Sequence, residues 1–186
     1  MADQDTYSSI GTATGVYNVL TNTAPKGTPG EGTTVYEYLA TLPAATRVVF
    51  TGHSLGGALS PAIAMGLMNA DLLSNIKPPT NVMVLPSAGA TPGDKALSTG
   101  PMYTNFMSEV KCGDLDYQVF NTDFFNEGDI VPQAWCTKAE LSPERNLPNI
   151  LEIYKGLDSD LVNKLKMAVE YVRYFNDNCL YWKCLK

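Results

Sequence analysis

Residues 46–65 read Thr-Arg-Val-Val-Phe-Thr-Gly-His-Ser-Leu-Gly-Gly-Ala-Leu-Ser-Pro-Ala-Ile-Ala-Met, and few folds accommodate such a stretch. Arg47 to Thr51 is a run of β-branched and aromatic residues that predicts a buried strand. Gly52-His53-Ser54-Leu55-Gly56 then fits the pattern G-x-S-x-G, followed by an apolar segment long enough for a helix. Strand, tight turn and helix, in that order, is the setting in which this pattern presents a serine on a strained turn. Such a turn leaves no room for bulk two residues before or after the serine. Gly52 and Gly56 meet that demand, and Gly57 and Ala58 keep the first helical turn slim against the strand. Ser54 is therefore the candidate nucleophile. The alternative is a plain strand-to-helix turn whose glycines serve only packing.

The 186 residues read as a single domain, 1–186, large enough to bury a real core. The net charge is −6 and no basic cluster occurs, so nucleic acid and anionic membrane surfaces are poor electrostatic partners. No apolar run approaches the roughly 20 residues of a membrane span. Met1 to Asp5 lacks the basic and apolar regions of a secretion signal. Secreted and cytoplasmic locations both stay open. Four cysteines, Cys112, Cys136, Cys179 and Cys184, lack zinc-site spacing. They allow disulfides or free thiols alike. No metal or cofactor is expected. The only histidine is His53, beside the candidate nucleophile.

Elsewhere the chain alternates helical and strand patterns. Residues 5–22 predict an amphipathic helix with Ile10, Ala13, Tyr17 and Leu20 on its apolar stripe. Ala24 to Thr33 is a loop, and Thr34 to Leu39 opens a short helix that stops near Pro43. A kink is expected at Pro61 in the helix after Ser54. Asn81 to Pro86 predicts a buried parallel strand, and Asp116 to Asn121 a third. Residues 101–110 and 149–155 predict short helices. Residues 159–176 predict a longer one, with Leu161, Leu165, Val169, Val172 and Phe175 as its core stripe. Three strands separated by helices give an α/β fold with a mostly parallel sheet flanked by helices.

A serine hydroxyl needs a base to take its proton, an acid to orient that base, and N–H donors for the developing oxyanion. The residue after the nucleophile, Leu55, supplies one such donor at a helix N-terminus. The acid belongs in the loop after a later strand, and Asp129, just before Ile130-Val131-Pro132, suits that position best. Pro132 would stiffen the loop. Asp123 and Glu127 are its rivals in the same loop. The base should follow the acid in sequence, yet no histidine occurs after Asp129. His53 is locked by the turn next to the serine, which suits it to packing or orienting the elbow rather than to proton transfer.

Val48 to Ala64, Val84 to Gly93, and Phe120-Asn121 with Gly128 to Pro132 together resemble the class 3 lipases, the fungal-lipase-like branch of the α/β-hydrolases. The resemblance covers roughly residues 8–155. It implies Ser54 as nucleophile, Asp129 as triad acid, Leu55 as oxyanion donor, and a lipid or other carboxylic ester as substrate. The family's histidine, early strands, lid and second oxyanion donor have no counterpart in these residues. The expectation is thus a partial α/β-hydrolase domain with weak or no activity by itself. A catalytically dead relative acting as a binding module, or another acyl-transfer enzyme on the same fold, are the alternatives. An exposed sheet edge near residue 46 predicts self-association.

Overall fold

The computed structural model describes residues 7–90, 93, 97, 101–108, 110–111, 119–140 and 142–178. Helix α1 (Ile10–Thr21) opens on Ser9, whose side chain accepts the Thr12 N–H. Helix α2 (Val35–Ala40) opens on a complete capping box: Thr34 accepts the Glu37 N–H while the Glu37 carboxylate accepts the Thr34 N–H. These hydrogen bonds hold the Glu37 carboxyl below its ordinary pKa. Strand β1 (Val48–His53) leads through Ser54 into α3 (Leu55–Asn69). A 3₁₀ turn at Pro79–Asn81 then leads into β2 (Val82–Ser87). Later come α4 (Pro101–Phe106), β3 (Val110–Lys111), β4 (Val119–Phe120), α5 (Ile130–Gln133), α6 (Asn149–Ile153) and α7 (Ser159–Asn178).

β1 and β2 pair in parallel, with Val48 opposite Val82 and His53 opposite Ser87. Short β3 and β4 pair antiparallel. The chain then continues along the far side of β2, where Asn121 N–H bonds to Val84 O (2.8 Å) and Phe124 N–H to Pro86 O (3.1 Å). Asn121 also accepts the Val84 N–H through its side chain at 2.9 Å. Of the third strand expected at 116–121, the described part is strand over Val119–Phe120. Residues 112–118, and with them Cys112, lie outside the described residues.

The main core lies between this sheet and α3: Ile63, Ala64 and Leu67 pack with Leu39, Leu73, Ile76, Val82 and Val84. β2 earns its apolar run, since Val82, Met83 and Val84 are all buried. A second, smaller core joins Leu147, Ile150 and Val169, with Leu165 and Tyr154 partly buried against it.

Two expected stripes are corrected. On α1, Ile10 (64% exposed) and Tyr17 point to solvent, and Ala13 is exposed. The inward side is Thr12, Gly15, Val16 and Leu20, because a side chain at Gly15 would run into Leu59 of α3. On α7 only Val169 is buried and Leu165 half-buried, while Leu161 and Val172 are exposed. This helix is a flanking element that touches α6, and its stripe is not core throughout. The Phe175 side chain lies outside the described residues. α3 runs unbroken through the buried Pro61 to Asn69.

Candidate functional site

Ser54 sits where β1 ends and α3 begins, with φ 56° and ψ −116°. A non-glycine residue rarely takes that conformation, and it persists only where surrounding structure imposes it. The imposing contacts are identifiable. Ser54 N–H bonds to Ser87 O at 3.0 Å, extending the β1–β2 ladder by one residue into the turn. Ser54 O accepts the Ala58 N–H at 3.2 Å, which starts the helix. A Cβ on Gly52 would run into the backbone of Gly56, so strand and helix cross in contact.

The two elbow glycines are not equivalent. A Cβ on Gly56 would meet nothing within 4 Å, which corrects the expectation that both positions are sterically closed. The second closed position is Gly57, whose added Cβ would lie 2.7 Å from the Gly89 Cα and 2.8 Å from Ser87 O. Gly89 is closed in turn by the Gly57 backbone, at 2.8 Å. The first turn of α3 thus rests directly on the loop after β2. His53 is exposed at the end of β1 instead of packed against the elbow.

The Leu55 N–H is one of the first amides of α3, which have no acceptor within the helix, and the helix dipole points positive there. The Leu55 side chain is exposed, leaving the mouth of the turn open to solvent.

The chain after Phe120 lies beside the same strand ends. Ala88 N–H bonds to Phe124 O at 2.7 Å, and Gly89 N–H to Asp123 Oδ1 at 3.1 Å. Asp123 Oδ2 takes an ion pair from Arg145 at 2.5 Å, and the guanidinium stands 5.1 Å from the Phe125 ring centroid. Asp123 therefore has both oxygens engaged, Oδ1 in holding Gly89, and through it Gly57, and Oδ2 in the pair with Arg145. The sequence assigns neither this contact to Gly89 nor the ion pair to Arg145. The only available signal was the small-residue run Ala88-Gly89-Ala90, and nothing local marks Arg145.

Asp129 lies on the next turn. Its N–H bonds to Asn126 O, and its Oδ1 caps α5 by accepting the Val131 N–H at 2.9 Å. Pro132 is buried within that helix, so α5 forms where a stiffened loop was expected. Tyr154 OH donates to Gly128 O at 2.6 Å, tying the turn to the chain after α6. Buried Asn146 and Gln133 secure the base of α5, with Asn146 N–H donating to Gln133 Oε1. Glu127 is exposed. Among the described residues no hydrogen bond joins Ser54 to Asp129, and none reaches Asp129 Oδ2. Of the cysteines, Cys136 is a half-buried free thiol, while Cys179 and Cys184 lie outside the described residues.

Tyr103 of α4 reports on this cluster. Burial, and then the Asp123 carboxylate, push its hydroxyl up from 10.0 to about 12, against the pull of Arg145. The folded state thus favours the neutral phenol. Its contribution to stability is full below pH 10 and is lost as pH rises towards about 12. Denaturant melts across that window are expected to show a loss of stability that Tyr103→Phe abolishes. An unchanged alkaline slope in the variant would contradict this.

A parallel sheet with a serine held at φ 56° between strand and helix defines an α/β fold of the hydrolase kind. A family model described as Lipase (class 3) matches residues 13–138, more than half of the sequence, and the chain belongs to that family. Among solved structures, the crystal structure of M37 lipase is similar in fold, with a TM-score of 0.62 at 23% identity. That match covers 94% of this chain and 47% of the other, so the chain spans about half the length of M37 lipase. No curated protein matches it. Among the described residues no helix is long and apolar enough to cross a membrane.

Proposed function

We propose that this chain carries the nucleophile, acid and first oxyanion donor of a serine ester hydrolase acting on acylglycerols or similar carboxylic esters. The observation that carries the reading is the backbone of Ser54, strained at the meeting of β1 and α3. Membership of the class 3 lipases supports the substrate class.

In this reading Ser54 Oγ attacks the ester carbonyl while its proton passes to a base. The resulting oxyanion accepts the Leu55 N–H, strengthened by the α3 dipole. Collapse expels the alcohol, which takes the proton from the base, and leaves an acyl-serine. Water, deprotonated by the same base, then releases the carboxylic acid and restores Ser54. Asp129 orients the base through Oδ2, its Oδ1 being held by the Val131 N–H. No residue described here takes the role of base, because His53 is exposed beside the serine and no histidine follows Asp129.

The Ser54 hydroxyl makes no hydrogen bond among the described residues, and this supports a second reading, a binding module on a catalytically silent lipase fold. A fluorophosphonate probe followed by peptide mapping separates the two. Hydrolase chemistry predicts slow modification at Ser54 and none in Ser54→Ala. Modification elsewhere, or none at Ser54 after prolonged exposure, would favour the silent fold.

A further inference from the structure

The ion pair between Arg145 and Asp123 is unlike a surface pair. Lys164–Asp160 and Arg173–Glu170 join residues four and three apart, with side chains 47–73% exposed. Pairs of that kind contribute little to stability. Arg145 and Asp123 stand 22 residues apart and are only 32% and 15% exposed. Arg145 is aimed by the residue that follows it. Asn146 is fully buried, and each of its polar groups is used. Its N–H donates to Gln133 Oε1 (3.2 Å), its side-chain amide donates to Ser142 O (2.9 Å) and Pro143 O (3.1 Å), and its Oδ1 accepts the Asn149 N–H (3.1 Å). The turn that carries Arg145 is thereby fastened to α5, the helix that Asp129 caps.

Asp123 passes this constraint to the elbow. Its Oδ1 accepts the N–H of buried Gly89, and the Gly57 and Gly89 backbones lie so close that neither position has room for a Cβ. Gly57 belongs to the same helical turn as Leu55, whose N–H meets the oxyanion in the proposed reaction. A helical turn moves as a unit, so the support beneath Gly57 also fixes where the Leu55 N–H points. Such a donor works when it stands about 2.7–3.1 Å from the place the oxyanion will occupy. A displacement of about 1 Å can cost about a hundredfold in rate.

We infer that Asp123 and Arg145 are positioning residues for the oxyanion donor. They lock the Gly89 loop beneath the first turn of α3 and tie it to the frame that holds Asp129. The inference rests on the reading of Ser54 as nucleophile and Leu55 as donor. Both side chains act through Gly89 and Gly57, not on the substrate. Removing the Asp123 carboxylate leaves the buried Gly89 N–H without its acceptor, a loss the loop can relieve only by shifting or admitting water. Removing the Arg145 guanidinium leaves Asp123 Oδ2 unpaired and the carboxylate free to turn from Gly89 towards solvent.

Fluorophosphonate modification of Ser54 over a range of probe concentrations tests this with the full chain. In that reaction the Ser54 Oγ–P bond forms as fluoride leaves, and the hydroxyl proton passes to solvent. The phosphoryl oxygen takes the place of the oxyanion. Asp123→Ala is expected to lower the saturating rate about 10- to 100-fold, with the half-saturating concentration unchanged within about twofold. Arg145→Met should lower that rate about tenfold. Arg145→Lys should recover most of the loss, because the pair uses one donor to Oδ2. Arg145 is partly exposed, so Arg145→Met carries the test if Asp123→Ala fails to fold. Urea melts of the same samples separate positioning from stability. Variants that melt earlier yet modify Ser54 at the wild-type saturating rate overturn the inference and leave the hydrolase reading standing. So does a rise in the half-saturating concentration alone. A wild type never modified at Ser54 removes the hydrolase reading and this inference together.

Discussion

Gly52→Ala is expected to cost about 3 kcal/mol or more of folding stability, at the upper end of what overpacking usually costs. The added methyl would meet the carbonyl carbon, oxygen and Cα of Gly56, all backbone atoms that no rotamer change can clear. Either β1 or the start of α3 must move. β1 is held by its ladder to β2, and α3 is held by Gly57 against Gly89. Gly56→Ala, four residues on, is the control. Its Cβ would enter open space inside a helix, where alanine is favoured over glycine by about 1 kcal/mol. Urea unfolding should therefore move the two midpoints in opposite directions. Equal losses at both positions would mean that the G-x-S-x-G pattern closes both sites and that the crossing at Gly52 is not the controlling contact.

This asymmetry marks where sequence stops being informative. The strand, the turn and the helix around Ser54 were legible because three local signals agreed: β-branched residues before, glycines within, an apolar run after. β2 was legible for a similar reason, being apolar at nearly every position. The pattern could not say which glycine meets what, because Gly57 is closed by Gly89, a residue 32 positions away. It ranks Asp129 above Asp123 by position alone and gives Asp123 no role of its own. The two carboxylates share a loop, and only the approach of Arg145 and of the Gly89 amide commits Asp123 to structure. The stripes of α1 and α7 were misread because periodicity gives a face only when a helix buries one face fully. Gly15 rotated α1 towards Leu59, and α7 packs along part of its length. Tertiary approach decided each of these.

Ser54→Gly should separate stability from chemistry. With φ 56° and ψ −116°, Ser54 holds a conformation that glycine adopts freely and that costs other residues about 1–3 kcal/mol. Part of the relief is offset by the greater freedom of glycine in the unfolded chain. The net expectation is a protein about 1 kcal/mol more stable than wild type, while Ser54→Ala, which keeps the Cβ, stays near it. Ester turnover should respond differently. With no histidine after Asp129, these 186 residues are expected to run about 10⁶-fold below a complete triad, the loss seen when such a base is removed. Whatever turnover remains above buffer should vanish equally in both variants, because both lack the hydroxyl. Thermal melts and a chromogenic short-chain ester read out the two effects on the same samples. A destabilised Ser54→Gly would show that the elbow imposes no strain on Ser54. Turnover that survives both substitutions would place the hydrolytic group elsewhere in the chain. A stabilised but silent Ser54→Gly would show that the fold maintains an unfavourable backbone for the sake of one hydroxyl.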